Sequence, residues 1–183
     1  MVLIIAEAGV NHNGSLEIAK ELVDAAASGG ADIIKFQSFI AKNLVIPEAK
    51  KASYQENKNK FSESQFEMLS RLELSFDELK HLKNYCDSKN IELLSSAFDL
   101  ESLQQIKNLD IKRYKIPSGE ITNLPYLRFV AAQNKPIILS TGMADIEEIN
   151  EAIKVFTCSG VKKGDISILH CTTEYPAPYV DVN

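Results

Sequence analysis

The sequence Ile4-Ile5-Ala6-Glu7-Ala8-Gly9-Val10-Asn11-His12-Asn13-Gly14 decides the fold. Its apolar beginning, residues 2–6, predicts a strand buried on both faces, and this strand ends at the carboxylate of Glu7. Ser15 is a plausible helix N-cap, and apolar residues then recur at helical spacing. A strand that carries a lone carboxylate to its C-terminal end, followed by a helix, is typical of the first unit of an α/β enzyme. A capping or solvated role for Glu7 is the alternative.

Composition excludes several classes of function. The 183 residues carry a formal net charge of −5 and a pI near 5.3, which argues against a nucleic-acid partner. No apolar run approaches the roughly 20 residues that cross a bilayer, so we expect no membrane partner. The start lacks the pattern of a signal peptide. The three cysteines form no CxxC motif, and their odd number favours a reducing cytoplasm over a disulfide scaffold.

Strands and helices are predicted to alternate along the chain. Five further strand-like runs lie at residues 31–37, 91–97, 113–116, 136–140 and 166–170. Between them, Ser75, Asp99, Asn123 and Asp145 are placed to cap helices, and Gly29 and Gly160 are placed to end them. Continuous apolar strands alternating with helices predict a parallel sheet covered by helices.

Two architectures fit this alternation, the open doubly wound sheet and the closed (β/α)8 TIM barrel. The first strand is not followed by GxGxxG, the best support for a dinucleotide-binding sheet. Nearly every predicted strand ends in polar residues, whereas an open sheet concentrates its ligands at one switch point. The pattern therefore favours an α/β (β/α)8 TIM barrel. Only six strands are counted, so we expect a barrel truncated after the sixth strand.

One long insertion, residues 40–64, follows the second predicted strand and contains five lysines. A loop of this length in a βα unit is usually functional or mobile. A solvated insert with surface lysines and a lid over an anionic substrate both remain open.

The polar ends of the predicted strands suggest an anion site, because all strand C-termini of a barrel meet at one mouth. Lys35 and Lys115 lie at the same level of the second and fourth strands, each inside an apolar run. A buried lysine needs an anionic partner. The short polar segments Ser118-Gly119 and Ser140-Thr141-Gly142 add hydroxyls and backbone N–H groups that approach an anion closely.

Five motifs together resemble the sialic acid synthase family, which includes N-acetylneuraminate and legionaminate synthases. They occupy residues 7–14, 35–37, 115–120, 139–143 and 170–176. The resemblance implies that residues 1–183 are the N-terminal part of a synthase TIM barrel, and that a C-terminal antifreeze-like domain is absent from this chain. It also implies an enzyme that condenses phosphoenolpyruvate with an N-acetylated aldose. The expected products are a nine-carbon sialic-acid-type sugar and phosphate.

The resemblance also assigns residues by position. It implies that phosphoenolpyruvate is bound by Lys35, Ser96, Lys115, Ser118, Ser140 and Thr173. It implies that the sugar pocket is lined by Gln37, Phe98, Glu120 and Tyr175. Glu7 would be the catalytic acid/base or water-positioning group.

A divalent metal, Mn²⁺ or Mg²⁺, and a homodimer of the intact protein are further implications of the resemblance. The metal ligands are expected beyond residue 183, and neither His12 nor His170 is at their positions. The aldose is N-acetylmannosamine or a 2,4-diacetamido-6-deoxy relative, and residues 35–37 and 174–178 favour the legionaminate branch. The alternatives are another phosphoenolpyruvate-dependent sugar-acid synthase and an inactive anion-binding fragment.

Overall fold

The computed structural model describes residues 2–49, 63–173 and 176–182. Six strands form one sheet in the order β1-β2-β3-β4-β5-β6. They are β1 (Ile5–Gly9), β2 (Ile33–Ser38), β3 (Glu92–Ala97), β4 (Tyr114–Ile116), β5 (Ile137–Ser140) and β6 (Ile166–Leu169). The helices are α1 (Leu16–Ser28), α2 (Ala41–Leu44), α3 (Gln65–Leu72), α4 (Phe76–Ser88), α5 (Leu100–Asn108), α6 (Leu124–Ala131) and α7 (Ile146–Cys158).

The strand order follows the chain order without reversal. The β1–β2, β3–β4, β4–β5 and β5–β6 ladders are parallel. A doubly wound sheet reverses its order at a switch point, whereas consecutive parallel βα units in chain order build a TIM barrel. The predicted barrel architecture, with six of its strands, is therefore confirmed.

The chain divides into two compact units. The first consists of Met1–Leu93 and Phe98–Leu109, and the second consists of Leu94–Ala97 and Asp110–Asn183. None of the helices in the described parts of the chain is long and apolar enough to cross a membrane.

In the first unit, α1 begins at Ser15, whose hydroxyl accepts a hydrogen bond from the Ile18 N–H. A capping box between Ser75 and Glu78 starts α4. Each cap satisfies backbone donors that a helix start leaves unpaired. The core contains fully buried apolar side chains from α1, β2 and α4, namely Ala19, Val23, Ile33, Phe36, Leu79 and Leu82.

The first strand differs from its prediction. It begins at Ile5 rather than at residue 2, and Val2, Leu3 and Ile4 are exposed rather than buried on both faces. The reason is that residues 2–4 precede the ladder with β2, which begins at the Ile5–Ile33 pair, and that β1 lies at one end of the sheet order, with β2 as its neighbour. The five other predicted strands are confirmed to within two residues at either end.

In the second unit, Asn123 caps α6 and has a proline in the first turn of that helix. Asp145 and Glu148 form a capping box at the start of α7. The core is built on Tyr114, Tyr126 and Phe156, all fully buried.

The predicted insertion begins with α2 and ends at Ser64, which caps α3 in a capping box with Glu67. The Ala41 N–H donates to Glu73 Oε1, and the Ile40 N–H donates to Asp99 Oδ2 at 3.0 Å. These contacts attach the beginning of the insertion to the first unit. Residues 50–62 of this insertion lie outside the described residues, so the solvated insert and the lid both stay predictions.

Candidate functional site

Glu7 and Lys35 form an ion pair at the C-terminal ends of β1 and β2. The parallel register places the two residues opposite each other, and Lys35 Nζ lies 2.5 Å from Glu7 Oε2. The lysine side chain is 13% exposed and the glutamate side chain 54% exposed. Glu7 therefore caps no helix, since Ser15 does so for α1, and its carboxylate instead compensates a mostly buried ammonium.

Gly9 lies beside both Glu7 and Gln37. The ladder is irregular between Glu7 and Gly9, and Gly9 has a positive φ of 53°. A Cβ at Gly9 would lie 3.3 Å from Glu7 Oε1 and 3.9 Å from Gln37 Nε2. Glycine thus lets the backbone pass closely beside both side chains. We call Glu7, Lys35 and Gln37 the carboxylate cluster.

Phe98, the fourth predicted site residue of the first unit, directly follows β3. Its N–H donates to the carbonyl of Ser38 at the end of β2, at 3.1 Å. The phenyl side chain is half-buried.

Lys115 is the buried cation of the second unit, with only 7% of the residue exposed. Its ammonium donates to the Ile116 carbonyl at 3.0 Å and to Ser140 Oγ at 2.5 Å. Ser96 of β3, which is also buried, is the register partner of Lys115. The structure thus brings together three residues that the sequence predicts to bind an anion.

Ser118 and Thr173 meet at Gly142, just beyond β5. The Gly142 N–H donates to Ser118 Oγ at 2.9 Å. A Cβ on Gly142 would lie 2.8 Å from Thr173 Cγ2 and 3.1 Å from Ser118 Oγ, so only glycine fits without displacing them.

Cys171 links these groups, and sequence reasoning missed it as a site residue. Its Sγ accepts from the Thr141 N–H at 3.3 Å and lies 3.8 Å from Ser118 Oγ. Burial acts to raise the pKa of this thiol, but hydrogen bonds from backbone N–H groups and serine hydroxyls outweigh it and lower the pKa below its usual value. Its position between two polar residues at a predicted strand end was the available signal. We call the following residues the hydroxyl cluster: Ser96, Lys115, Ser118, Ser140, Thr141, Gly142, Cys171 and Thr173.

The remaining two predicted sugar-binding residues have different outcomes. Glu120 follows β4 in a 3-10 turn, Ser118–Glu120, and its Oε2 accepts from Asn123 Nδ2 at 2.6 Å. Glu120 is thereby attached to the residue that caps α6. Tyr175 lies outside the described residues.

The described residues contain no group of three His, Cys, Asp or Glu side chains that could hold a metal ion. His12 is fully buried, its Nδ1 accepts from the Gly14 N–H at 3.0 Å, and burial lowers its pKa while Glu78 opposes this shift. His170 is exposed. These two histidines therefore do not form a metal centre with the other described residues.

Comparison with known proteins places this geometry in a family. The N,N'-diacetyllegionaminic acid synthase of Campylobacter jejuni is 55% identical over 181 residues, which are 99% of this chain and 54% of that protein. The enzyme of the same name from Legionella pneumophila is 50% identical, over 98% of this chain and 51% of that protein. The chain thus spans about half the length of these curated relatives.

A solved structure supports the same assignment. The N-acetylneuraminic acid (sialic acid) synthetase from Leptospira borgpetersenii, crystallised in complex with citrate, superposes with a TM-score of 0.83 at 32% identity. The match covers 100% of this chain and 58% of that one. The family model described as "NeuB family" matches residues 22–183. The chain therefore belongs to the NeuB family.

Proposed function

We propose that the protein condenses phosphoenolpyruvate with an N-acetylated aldose to give a nine-carbon sialic-acid-type sugar and phosphate. The single observation that carries the proposal is the buried Lys115 ammonium bonded to Ser140. A buried cation beside hydroxyls and backbone N–H groups suits a phosphate or carboxylate. Family membership supplies the reaction class.

The hydroxyl cluster is proposed to bind phosphoenolpyruvate. Lys115 supplies a point charge, and Ser118 and Ser140 supply short donors to the anionic oxygens. Ser96 and Thr173 complete this set on the neighbouring chain segments, and Lys35 is proposed to contribute a second positive charge. Phosphate that leaves during the reaction would then be matched by positive charge.

The carboxylate cluster is proposed to supply the acid/base chemistry. The enol π electrons of phosphoenolpyruvate form a C–C bond to the aldehyde carbon, whose oxygen takes up a proton from water. Water then adds to the cationic carbon that remains, and one of its protons passes to the Glu7 carboxylate. The carbon–oxygen bond to phosphate breaks, the added hydroxyl becomes the keto group, and its proton leaves with the phosphate. The proposed sugar-pocket residues are Gln37, Phe98, Glu120 and Tyr175.

The finer properties of the protein are also proposals. The aldose is of the legionaminate type, a 2,4-diacetamido-6-deoxy sugar, which the names of the two relatives above support. A divalent metal, Mn²⁺ or Mg²⁺, is proposed as the cofactor, and a homodimer is proposed as the oligomeric state. Three free thiols support a cytoplasmic location.

Phosphate release tests the reaction directly. The protein, produced at its full encoded length, is incubated with phosphoenolpyruvate, Mn²⁺ and one of three sugars: the diacetamido sugar, N-acetylmannosamine or a phosphorylated aldose. We expect phosphate and a nine-carbon acid with the first or second sugar. Turnover with only the phosphorylated aldose would indicate a different sugar-acid synthase, and turnover with none would contradict the proposal.

A matched pair of variants tests whether the buried Lys115 ammonium binds the substrate. Lys115→Met should strongly weaken phosphoenolpyruvate binding, as measured by calorimetry. Lys112→Met removes an exposed lysine three residues earlier and should leave binding unchanged. Equal affinity in the two variants would show that the buried lysine does not bind the substrate.

A further inference from the structure

The sulfur of Cys171, which follows β6, lies where donors from the ends of two other strands, β4 and β5, converge. Thr141 follows β5 and donates its N–H to Sγ at 3.3 Å, and Ser118 follows β4 with its hydroxyl 3.8 Å from Sγ. Cys171 itself follows β6, and its S–H contacts the Leu169 carbonyl at 3.6 Å. Hydrogen bonds from the Ser140 hydroxyl and the Gly142 N–H also lower the pKa of this thiol. These donors belong to the cluster that the proposed function assigns to phosphoenolpyruvate.

The turn after β5 depends on the same contacts. Thr141 Oγ1 donates to the Leu169 carbonyl at 2.8 Å, and the Gly142 N–H donates to Ser118 Oγ at 2.9 Å. With the bond from the Thr141 N–H to Cys171, the turn is therefore attached both to the end of β6 and to Ser118, two residues beyond β4. Both backbone N–H groups are held in fixed directions.

A thiol is a weak acceptor compared with a phosphate or carboxylate oxygen. A sulfur atom at this position therefore keeps the donors oriented without binding them strongly. An arriving anion can replace these weak hydrogen bonds to sulfur with its own. Serine at the same position would bring a stronger acceptor on a shorter bond. Alanine would leave the partly buried Thr141 N–H without its acceptor, which is unfavourable.

We propose that Cys171 is a positioning residue of the phosphoenolpyruvate site, whose sulfur orients the Thr141 N–H and the Ser118 hydroxyl and is replaced by the substrate anion on binding. This inference rests on the proposed function. It predicts that the thiol environment changes when the site is filled. An anion at these donors removes the hydrogen bonds that favour the thiolate and adds a negative charge beside it, so the thiol becomes less reactive.

The other cysteines provide internal controls for a labelling experiment. Cys158 is exposed, and Cys86 is buried, with burial raising the pKa of its thiol to about 12. The full-length protein is alkylated with iodoacetamide near neutral pH, with and without phosphoenolpyruvate, and modification is followed by mass spectrometry of peptides. We expect Cys171 alkylation to slow at least threefold when phosphoenolpyruvate is present. Cys158 should react at the same rate in both samples, and Cys86 should not react.

A kinetic comparison of Cys171→Ala and Cys171→Ser provides the second readout. Loss of one hydrogen bond that orients substrate donors should raise the KM for phosphoenolpyruvate about threefold to tenfold in the alanine variant. The kcat of the alanine variant should stay within about twofold of the wild-type value. The KM of Cys171→Ser should lie between those of the wild type and the alanine variant. A merely structural cysteine would not divide the effect between KM and kcat in this way.

The outcomes separate this inference from the proposed function. If calorimetry detects no phosphoenolpyruvate binding to the wild-type protein, the proposed function fails. If phosphoenolpyruvate binds but the alkylation rate of Cys171 does not change, or Cys171 does not react at all, the positioning role is overturned. A wild-type KM in Cys171→Ala, or a loss confined to kcat, overturns it as well. The labelling needs no variant, so a Cys171 variant that fails to fold does not prevent the test.

Discussion

Glu7→Gln should tighten phosphoenolpyruvate binding while it slows turnover. Lys35, which the proposed function assigns to the substrate anion, is paired with Glu7, with 2.5 Å between Lys35 Nζ and Glu7 Oε2. An arriving anion must compete with this carboxylate for the ammonium and is also repelled by it. Glutamine keeps the shape of the side chain but removes the charge and the basicity.

The size of the binding effect follows from exposure. The Glu7 side chain is 54% exposed, so water screens the pair, and exposed ion pairs are worth about 0.2–1 kcal/mol. Removing the competing charge should therefore lower the dissociation constant of phosphoenolpyruvate by about 1.4-fold to fivefold. Turnover should fall by about 10²–10⁴, the usual contribution of a general acid or base. The two effects have opposite signs, which a loss of structure cannot produce.

The dissociation constant is measured by calorimetry at low and high salt, and turnover is measured by phosphate release. The difference in affinity between the variant and the wild type should shrink at high salt, because ions screen the pair. Glu17→Gln is the matched control, since it removes one carboxylate from a surface pair with Lys20 on α1. Unchanged or weaker binding in Glu7→Gln would refute the competition. Turnover within a few-fold of wild type would refute the catalytic role of Glu7.

Three further predictions concern binding and stability of the full-length protein. Lys115→Met should weaken phosphoenolpyruvate binding by about 1.5–3 kcal/mol, the value of a hydrogen bond to a charged group. An unchanged affinity measured by calorimetry would contradict this prediction. Gly14→Ala and Gly30→Ala both place a side chain at positive φ, 77° and 78°, but only at Gly14 would the Cβ clash, 2.1 Å from the Arg71 carbonyl oxygen. Urea unfolding should therefore show a loss of about 1–2 kcal/mol at Gly30 and a clearly larger loss at Gly14, and equal losses would exclude the clash. Burial lowers the pKa of His12, so the unfolded chain binds more protons and stability should fall as pH decreases from about 6.5 through the lowered pKa. His12→Asn should lose this pH dependence in urea titrations, and its persistence would assign the effect to another group.

Helix starts were predictable from sequence because their causes are local. Ser75, Asp99, Asn123 and Asp145 were expected to cap helices, and the side chain of each accepts a hydrogen bond from the backbone N–H three residues later. A cap needs only the residues of its own first turn. The exposure of residues 2–4 was not predictable in this way, since it depends on which strand lies at the edge of the sheet.

The hydroxyl cluster was predictable in part. Lys115 and Ser140 lie near the ends of consecutive predicted strands, neighbouring parallel strands bring their ends together, and the Lys115 ammonium does contact Ser140 Oγ. Cys171 was not identified because a cysteine has no fixed role in sequence, and its environment comes from donors on two other segments. The need for glycine at position 142 was not predictable either, because the space beside it is filled by Thr173, which lies thirty-one residues later in the chain.

The two lysines show most clearly where sequence reasoning ends. Lys35 and Lys115 have the same local pattern, one lysine between two large apolar residues near the end of a strand, and they were expected to play equal parts. The ladders give them different neighbours: Glu7 lies opposite Lys35, whereas Ser96 and Ile138 lie opposite Lys115. Pairing register decides this difference, and a shift of one residue would reverse which side chains share a face. The lysines should therefore respond differently to the loss of a partner. Removing Glu7 relieves Lys35 of a competitor and should strengthen anion binding, whereas Ser140→Ala takes a hydrogen-bonded oxygen from the buried Lys115 and should weaken it.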